Sequence, residues 1–539
     1  MRPLSFIFAF TLFLFASQTR GQGVNLSSLN TRAESSQYTE TTRYEEVMAF
    51  LTTVTKASKQ MHLTSFGYTT EGRSLPLVVV GRVKDASPEA VFASKKTRVF
   101  LQANIHAGEV EGKEALLMLL RALATGQHAQ WADSLVLLIA PIYNADGNER
   151  VSLYNRPLQY GPVGGMGQRP NAQGFDLNRD HMKLESPEAR SLVRLMRQYD
   201  PHVLVDLHTT DGTVHAYHLT YSPPLNPNTY APIISLLRGD WLPSMTKTIK
   251  QKYGWDYYYY GNLPGPAGPD VGTPRGWYTF DHRPRFNNNY IGLRNRIAIL
   301  SEAYSYAIFE ERIRATLYFV EEILNYAQTH SSRIRQVVEA ADARSIVGES
   351  FAVRAQFARS STPVEILLGE VAQEKHPYTG AAMWRRLDVR KPERMDEYGT
   401  FEPTETVTAP RVYFVPPALK NAVDRLEAHG IRYETLTAER RLTVERFRID
   451  STKDADQPFQ GHRERTLFGA YERMEVTLPA GTLVVPVDQP LGRLAFYLLE
   501  PRSDDGLVDW ALLDDVLAGA KYYPILRLPA DADKGEKGR

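Results

Sequence analysis

His106 and Glu109 stand three residues apart in Asn-Ile-His-Ala-Gly-Glu-Val-Glu-Gly (104–112), directly after a run of strand-forming residues. An imidazole and a carboxylate on one tight turn are partly preorganised to share a metal ion. A catalytic zinc needs a third protein ligand and an open position for water. His-x-x-Glu is common by chance, and a pair of surface polar residues is the plainer reading of it alone. His208 supplies the third candidate, because it closes the run Val-Leu-Val-Asp-Leu-His (203–208). His202 precedes that run, and His215 and His218 follow the turn Thr-Thr-Asp-Gly, which puts them on a neighbouring loop. Glu302 lies in Ala-Ile-Leu-Ser-Glu-Ala-Tyr, just past the apolar residues Ile297–Leu300. A carboxylate is costly to bury there unless it is paired or used. Facing a metal-activated water it would accept a proton and pass it on; a cap or ion-pair glutamate is the alternative. In Gly-Phe-Asp-Leu-Asn-Arg-Asp-His (174–181), Asn178 and Arg179 set an amide beside a guanidinium fork, a combination suited to gripping a carboxylate.

The elements around these residues must bring them to one place. Four β-branched and aliphatic runs, at 98–105, 135–143, 202–208 and 296–304, are too short for typical helices and read as strands. Helical patterns at 111–126 and 186–199 lie between them, the second opening with a Ser-Pro-Glu cap. Strands buried on both faces and separated by helices predict an α/β fold: a mixed, mostly parallel twisted sheet with helices on both faces. In such sheets ligands bind beyond the carboxyl ends of the strands, where His106, His208 and Glu302 all fall. Residues 318–345 read as a long helix or helix pair leading out of this unit. The texture then changes to a mostly β accessory region, 346–539, broken by one αβ passage at 411–436.

Composition narrows the function. The chain has 539 residues, 63 Lys plus Arg against 62 Asp plus Glu, so no net field recruits nucleic acid or an acidic membrane. Cysteine is absent, which excludes disulfides and leaves His, Asp and Glu as metal ligands. Arg2, the apolar run Leu4–Ala16 and the small and polar residues after it have the order of a secretory signal peptide, residues 1–22. The run is short of the about 20 residues that span a bilayer. Export is therefore expected, with no membrane attachment of the mature form. The lack of cysteine inclines the expectation towards a bacterial periplasmic or secreted protein.

Taken in chain order, these motifs resemble the zinc carboxypeptidases, the carboxypeptidase A-like metallopeptidases, over residues 40–335. His106 and Glu109 match the family's His-x-x-Glu, and His208 matches its distant metal histidine. Asp176, Asn178 and Arg179 match Asp-x-Asn-Arg, and Asn144-Ala145-Asp146-Gly147 matches Asn-Pro-Asp-Gly with alanine for proline. Glu302 matches the general base. The resemblance implies one Zn2+ ion on His106, Glu109 and His208, with Asp176 orienting a metal histidine from behind. It implies that Asn178 and Arg179 bind the terminal carboxylate of a peptide or peptide-like substrate. Arg169 is the expected oxyanion stabiliser, with Arg156 competing, and Tyr290 the substrate-capping tyrosine. The departures are Gly108 where the family more often has arginine, Thr-Thr after His208 in place of Ser-Tyr, and a short spacing from Tyr290 to Glu302. The implied activity is hydrolysis of C-terminal peptide bonds. A related zinc amidase acting on cell-wall peptides or acyl-amino acids is the alternative, and a non-catalytic glycan or protein binder a second one. Side-chain specificity and oligomeric state are not encoded legibly.

Overall fold

The computed structural model describes residues 26–532, so the expected signal peptide lies outside the described residues. The strands of the N-terminal part are β1 (Met61–Tyr68), β2 (Ser74–Val80), β3 (Thr97–Ala103), β4 (Leu135–Ala140), β5 (Val203–Thr210), β6 (Leu219–Ser222), β7 (Tyr257–Tyr259), β8 (Trp277–Tyr278) and β9 (Ile297–Tyr304). All but β8 form one eight-stranded sheet in the order β1-β2-β4-β3-β5-β9-β6-β7. The central strands β4, β3, β5 and β9 run parallel. Antiparallel pairings of β2 with β1 and β4, and of β6 with β9, make the flanks mixed. The four runs read as strands are these central four, which matches the expected mixed, mostly parallel sheet.

Alternation along each strand splits the core in two. Val99, Leu101, Val203, Val205 and Leu207 face a layer built from helices Tyr44–Ala57, Glu111–Ala124, Leu242–Tyr253 and Phe309–Thr329. Phe100 and Leu204 face the other layer, with helix Pro187–Tyr199. That helix starts as its sequence demands: Ser186 caps Ala189 N–H, and Pro187 takes the first turn, where no N–H is needed. The expected exit helix is a pair, Phe309–Thr329 and Ser331–Ala343.

The C-terminal region is β-rich, with two-stranded ribbons and a six-stranded sheet. It does not stand apart. One buried cluster runs unbroken from Phe66, Leu138 and Leu204 through Tyr413, Phe496 and Trp510, so its helix Gly492–Leu499 completes the second layer of the eight-stranded sheet. Among the described residues no helix is long and apolar enough to cross a membrane.

Candidate active site

His106 stands just past the carboxyl end of β3, where Asn104 turns the chain with φ 66° and Glu109 N–H closes on the His106 carbonyl at 3.0 Å. His208 lies in β5, adjacent to β3 in the sheet. Glu302 is the register partner of His208 on β9, so the parallel ladder sets these two side chains next to each other on one face. One ligand atom from each of His106, Glu109 and His208 lies within 4.8 Å of the others, and all three residues are buried. Leu300, Glu302, Asn178, Arg179, Arg156 and Arg169 share with them a cavity of about 280 Å3.

The imidazoles are oriented from behind. His106 Nε2 donates to Asp176 Oδ1 at 3.0 Å, and His208 Nε2 donates to Asp206 Oδ2 at 2.9 Å. Each proton held at Nε2 leaves a lone pair on Nδ1. Those Nδ1 atoms face the two oxygens of Glu109, at 3.0 Å each. Acceptors that close repel unless a proton or a cation sits between them. Burial disfavours charge on both Glu109 and His208. Even so, His106 and Arg156 hold the Glu109 carboxyl well below the usual range, while Asp206 and Glu109 raise His208 well above its own. Two imidazole nitrogens, one carboxylate and a carboxylate behind each histidine form a donor set that fits zinc. Asp206 was not singled out from the sequence; its signal was the two-residue spacing to His208, which puts both on one face of a strand.

Asp176 caps the short turn Leu177–Arg179 and takes Arg169 on its other oxygen, Nε at 3.0 Å and Nη2 at 2.8 Å. Arg169 Nη1 is left 3.8 Å from Glu109. Arg156 is more fully engaged, with Glu109 Oε1 at 3.0 Å, the Thr209 carbonyl at 3.1 Å and Gln159 at 2.7 Å. Its side chain lies over Gly108, where a Cβ would come within 2.9 Å of Arg156 Cδ and of the Gly167 carbonyl. The glycine between the two predicted ligands thus makes room for an arginine supplied from elsewhere in the chain.

Asn178 Oδ1 accepts the Asn287 backbone N–H at 2.8 Å, which fixes the amide. Arg179 lies 3.8 Å above the Phe286 ring and donates to the Asn178 carbonyl at 2.7 Å. Burial brings the Arg179 guanidinium down to about 10, and Asp176 works against that shift. Among the described residues Arg179 has no ion-pair partner, although it is half-buried in the wall of the cavity. Burial also pushes Glu302 up to about 8, against the pull of His208.

Tyr290 is a correction. It is fully buried on helix Asn287–Leu293, its hydroxyl is 2.8 Å from His429 Nδ1, and it does not line the cavity. A buried phenol needs a polar partner, and here it finds one in the C-terminal region. Tyr260, Phe280 and Phe286 form the aromatic wall instead. The competing histidines are occupied elsewhere: His202 accepts from Arg98 N–H, His215 stacks on Tyr304 and His218 on Trp255. A wider cleft of about 730 Å3 adjoins the site through Ala267 and Phe280, between the sheet and the C-terminal region.

Residues 47–262 match the model of the family described as zinc carboxypeptidase. This segment is a zinc carboxypeptidase domain. Relatives of the whole chain include Carboxypeptidase 2 of Trichophyton equinum, 25% identical over 517 residues, covering 90% of this chain and 86% of that protein. Carboxypeptidase 2 of Trichophyton rubrum is 25% identical over 520 residues with the same coverage. Both are fungal, and they lend no support to the expected bacterial origin. Among solved structures, the metallo-carboxypeptidase from Burkholderia cenocepacia is 18% identical with a TM-score of 0.39, covering 53% of this chain and 70% of that one. The carboxypeptidase A from Helicoverpa armigera is 15% identical with a TM-score of 0.40, covering 55% and 75%. Glu302, Phe280 and Phe286 lie beyond the segment matched to the zinc carboxypeptidase family, and the fold brings them to its site.

Proposed function

We propose that the protein is a zinc-dependent metallocarboxypeptidase that removes the C-terminal residue of peptides. The observation that carries this reading is a half-buried guanidinium without an ion-pair partner among the described residues, Arg179, in the same cavity as a His-Glu-His donor set. A partly desolvated cation gains from a carboxylate partner, and a substrate carboxylate would supply one.

His106, Glu109 and His208 would hold one zinc ion. When bound, zinc supplies Lewis-acid activation of water and polarises the scissile carbonyl. Arg179 and the Nδ2 group of Asn178 take the terminal carboxylate in paired, charge-assisted hydrogen bonds, which places the last peptide bond at the donor set. Glu302, beside His208, accepts the proton as a water O–H bond breaks and the oxygen bonds the carbonyl carbon. The same carboxyl then returns that proton to the nitrogen as the C–N bond breaks, so a free amino acid leaves. Arg169, which lines the cavity beside the donor set, stabilises the negative charge that develops on the carbonyl oxygen. Asp176 and Asp206 keep the imidazole lone pairs aimed at the metal.

The test is a mixture of peptides with free and amidated C-termini, followed by mass spectrometry with and without a zinc chelator. Stepwise loss of single C-terminal residues from the free peptides alone, abolished by chelation, is expected. Equal cutting of blocked and free peptides would refute the exopeptidase reading.

A further inference from the structure

One contact ties the carboxylate grip to a distant part of the chain. The backbone N–H of Asp176 donates to the side-chain Oε1 of Gln460 at 2.8 Å, and the two residues are 284 positions apart. Gln460 sits at the tip of a long hairpin whose strands, Arg440–Asp454 and Arg465–Leu478, pair along their lengths. The tip closes in a turn bonded both ways, Phe459 N–H to the His462 carbonyl at 2.7 Å and His462 N–H to the Phe459 carbonyl at 3.0 Å. Its central residues, Gln460 and Gly461, have φ of 48° and 84°. Two-residue hairpin turns of this kind favour Asn, Asp or Gly at the first position. Glutamine is thus held in a left-handed conformation that costs an ordinary L-residue free energy. Strain kept where glycine would be unstrained points to a use for the side chain.

The surroundings seat the tip firmly. His462 Nε2 lies 2.9 Å from Glu185, and Phe459 packs beneath Arg285 and against Trp510. Arg285 is itself bridged to Glu464, Asp505 and Asp509, all of the C-terminal region. The residue after it, Phe286, is the ring on which Arg179 lies.

We propose that this hairpin tip positions the substrate grip, and that Gln460 is a positioning residue acting through Asp176. This rests on the metallocarboxypeptidase reading and adds to it a part for the C-terminal region. Asp176 Oδ1 serves both His106 Nε2 and the Asn178 N–H, at 3.0 and 2.9 Å. Any rotation of the Asp176 backbone therefore disturbs a metal histidine and the carboxylate-binding turn together. Gln460 acts against that rotation from outside.

The test uses the full chain with Gln460→Gly and Gln460→Glu. Zinc affinity is read by competition with a chromogenic chelator, KM and kcat on a peptide with a free C-terminus, and Tm by calorimetry. Glycine suits the positive φ, so Gln460→Gly should keep or raise Tm. Zinc affinity should nevertheless fall about fivefold and KM rise about fivefold, below the about tenfold common for direct partners of a metal histidine, with kcat little changed. Gln460→Glu keeps an acceptor oxygen at the same reach and should restore zinc affinity. A glycine variant equal to wild type in zinc affinity and KM overturns the proposal. So do losses that follow a lowered Tm, or that glutamate does not recover. Wild-type protein that neither binds zinc nor trims peptides would instead defeat the underlying reading.

Discussion

The two halves of the cavity are held by different means. His208 and Glu302 sit on β5 and β9, and His106 follows β3, neighbouring strands whose ladders set their spacing. Asn178 and Arg179 stand on one short turn, the only regular element between helices Ala145–Glu149 and Pro187–Tyr199. Their supports come from afar: Gln460 on Asp176, Asn287 on Asn178, and Phe286 under Arg179. On the proposed function, the hydrolytic chemistry would belong to the sheet, whereas recognition of a chain end would depend on loops braced by the C-terminal region.

Glu302→Gln tests the sheet half and should have the largest effect. Loss of a general base costs about 10²- to 10⁴-fold in kcat, and the isosteric amide should leave bound zinc and Tm unchanged. Turnover and metal content of the purified variant check this. Retention of most activity would remove Glu302 from the reaction and break the assignment of chemistry to the strand ends. Arg179→Ala tests the other half. Charge-assisted hydrogen bonds contribute about 1.5–3 kcal/mol, so kcat/KM on free C-termini should fall about 10- to 100-fold. Any slow cleavage of amidated peptides should be unaffected. Equal losses on both substrates would show that Arg179 is structural.

Asp206→Asn sharpens the comparison within the sheet half. It leaves an oxygen near His208 Nε2 but removes the charge, so zinc affinity should fall about tenfold while KM for peptides holds. Chelator competition on the purified variant measures the first, and steady-state kinetics at saturating zinc the second. A rise in KM without a change in zinc affinity would mean that the two halves are not separable in the way the supports suggest.

The same contrast explains what the sequence disclosed. Apolar runs ending in His208 or in Ser-Glu are legible because a buried parallel strand needs consecutive aliphatic residues and a strand end is a fixed place. Asn178 and Arg179 could be read from an amide set beside a guanidinium, and Asp176 only through resemblance to a family motif, since no periodicity marks an irregular turn. Tyr290 was misjudged because closeness in sequence to Glu302 does not tell which face of helix Asn287–Leu293 a residue takes; it faces His429. Asp206 was hidden in an otherwise apolar run, and Phe286 among polar neighbours. Gln460 had no local signal, because its role depends on a pairing across 284 residues that only the fold creates.

The smallest expected effect lies at the outer anchor of the hairpin tip. Glu185 accepts from Lys183 Nζ at 2.9 Å and faces His462 Nε2 at the same distance. Burial works against its charge, but these partners hold its carboxyl down to about 2 from an ordinary 4.5. The folded value is the lower one, so the ionised carboxylate stabilises the fold above pH 4.5, and that contribution is lost as pH falls towards 2. Glu185 is partly exposed and solvent screens it, which keeps the effect small. Glu185→Gln should lower Tm by about 1–2 °C at pH 6, with the gap to wild type narrowing steadily below pH 4.5 in a calorimetric series. A gap that stayed constant with pH would mean that packing of Phe459 and Trp510, and not this charge, seats the tip. The bracing of the carboxylate grip would then be apolar, closer in kind to the sheet half than the two sets of supports suggest.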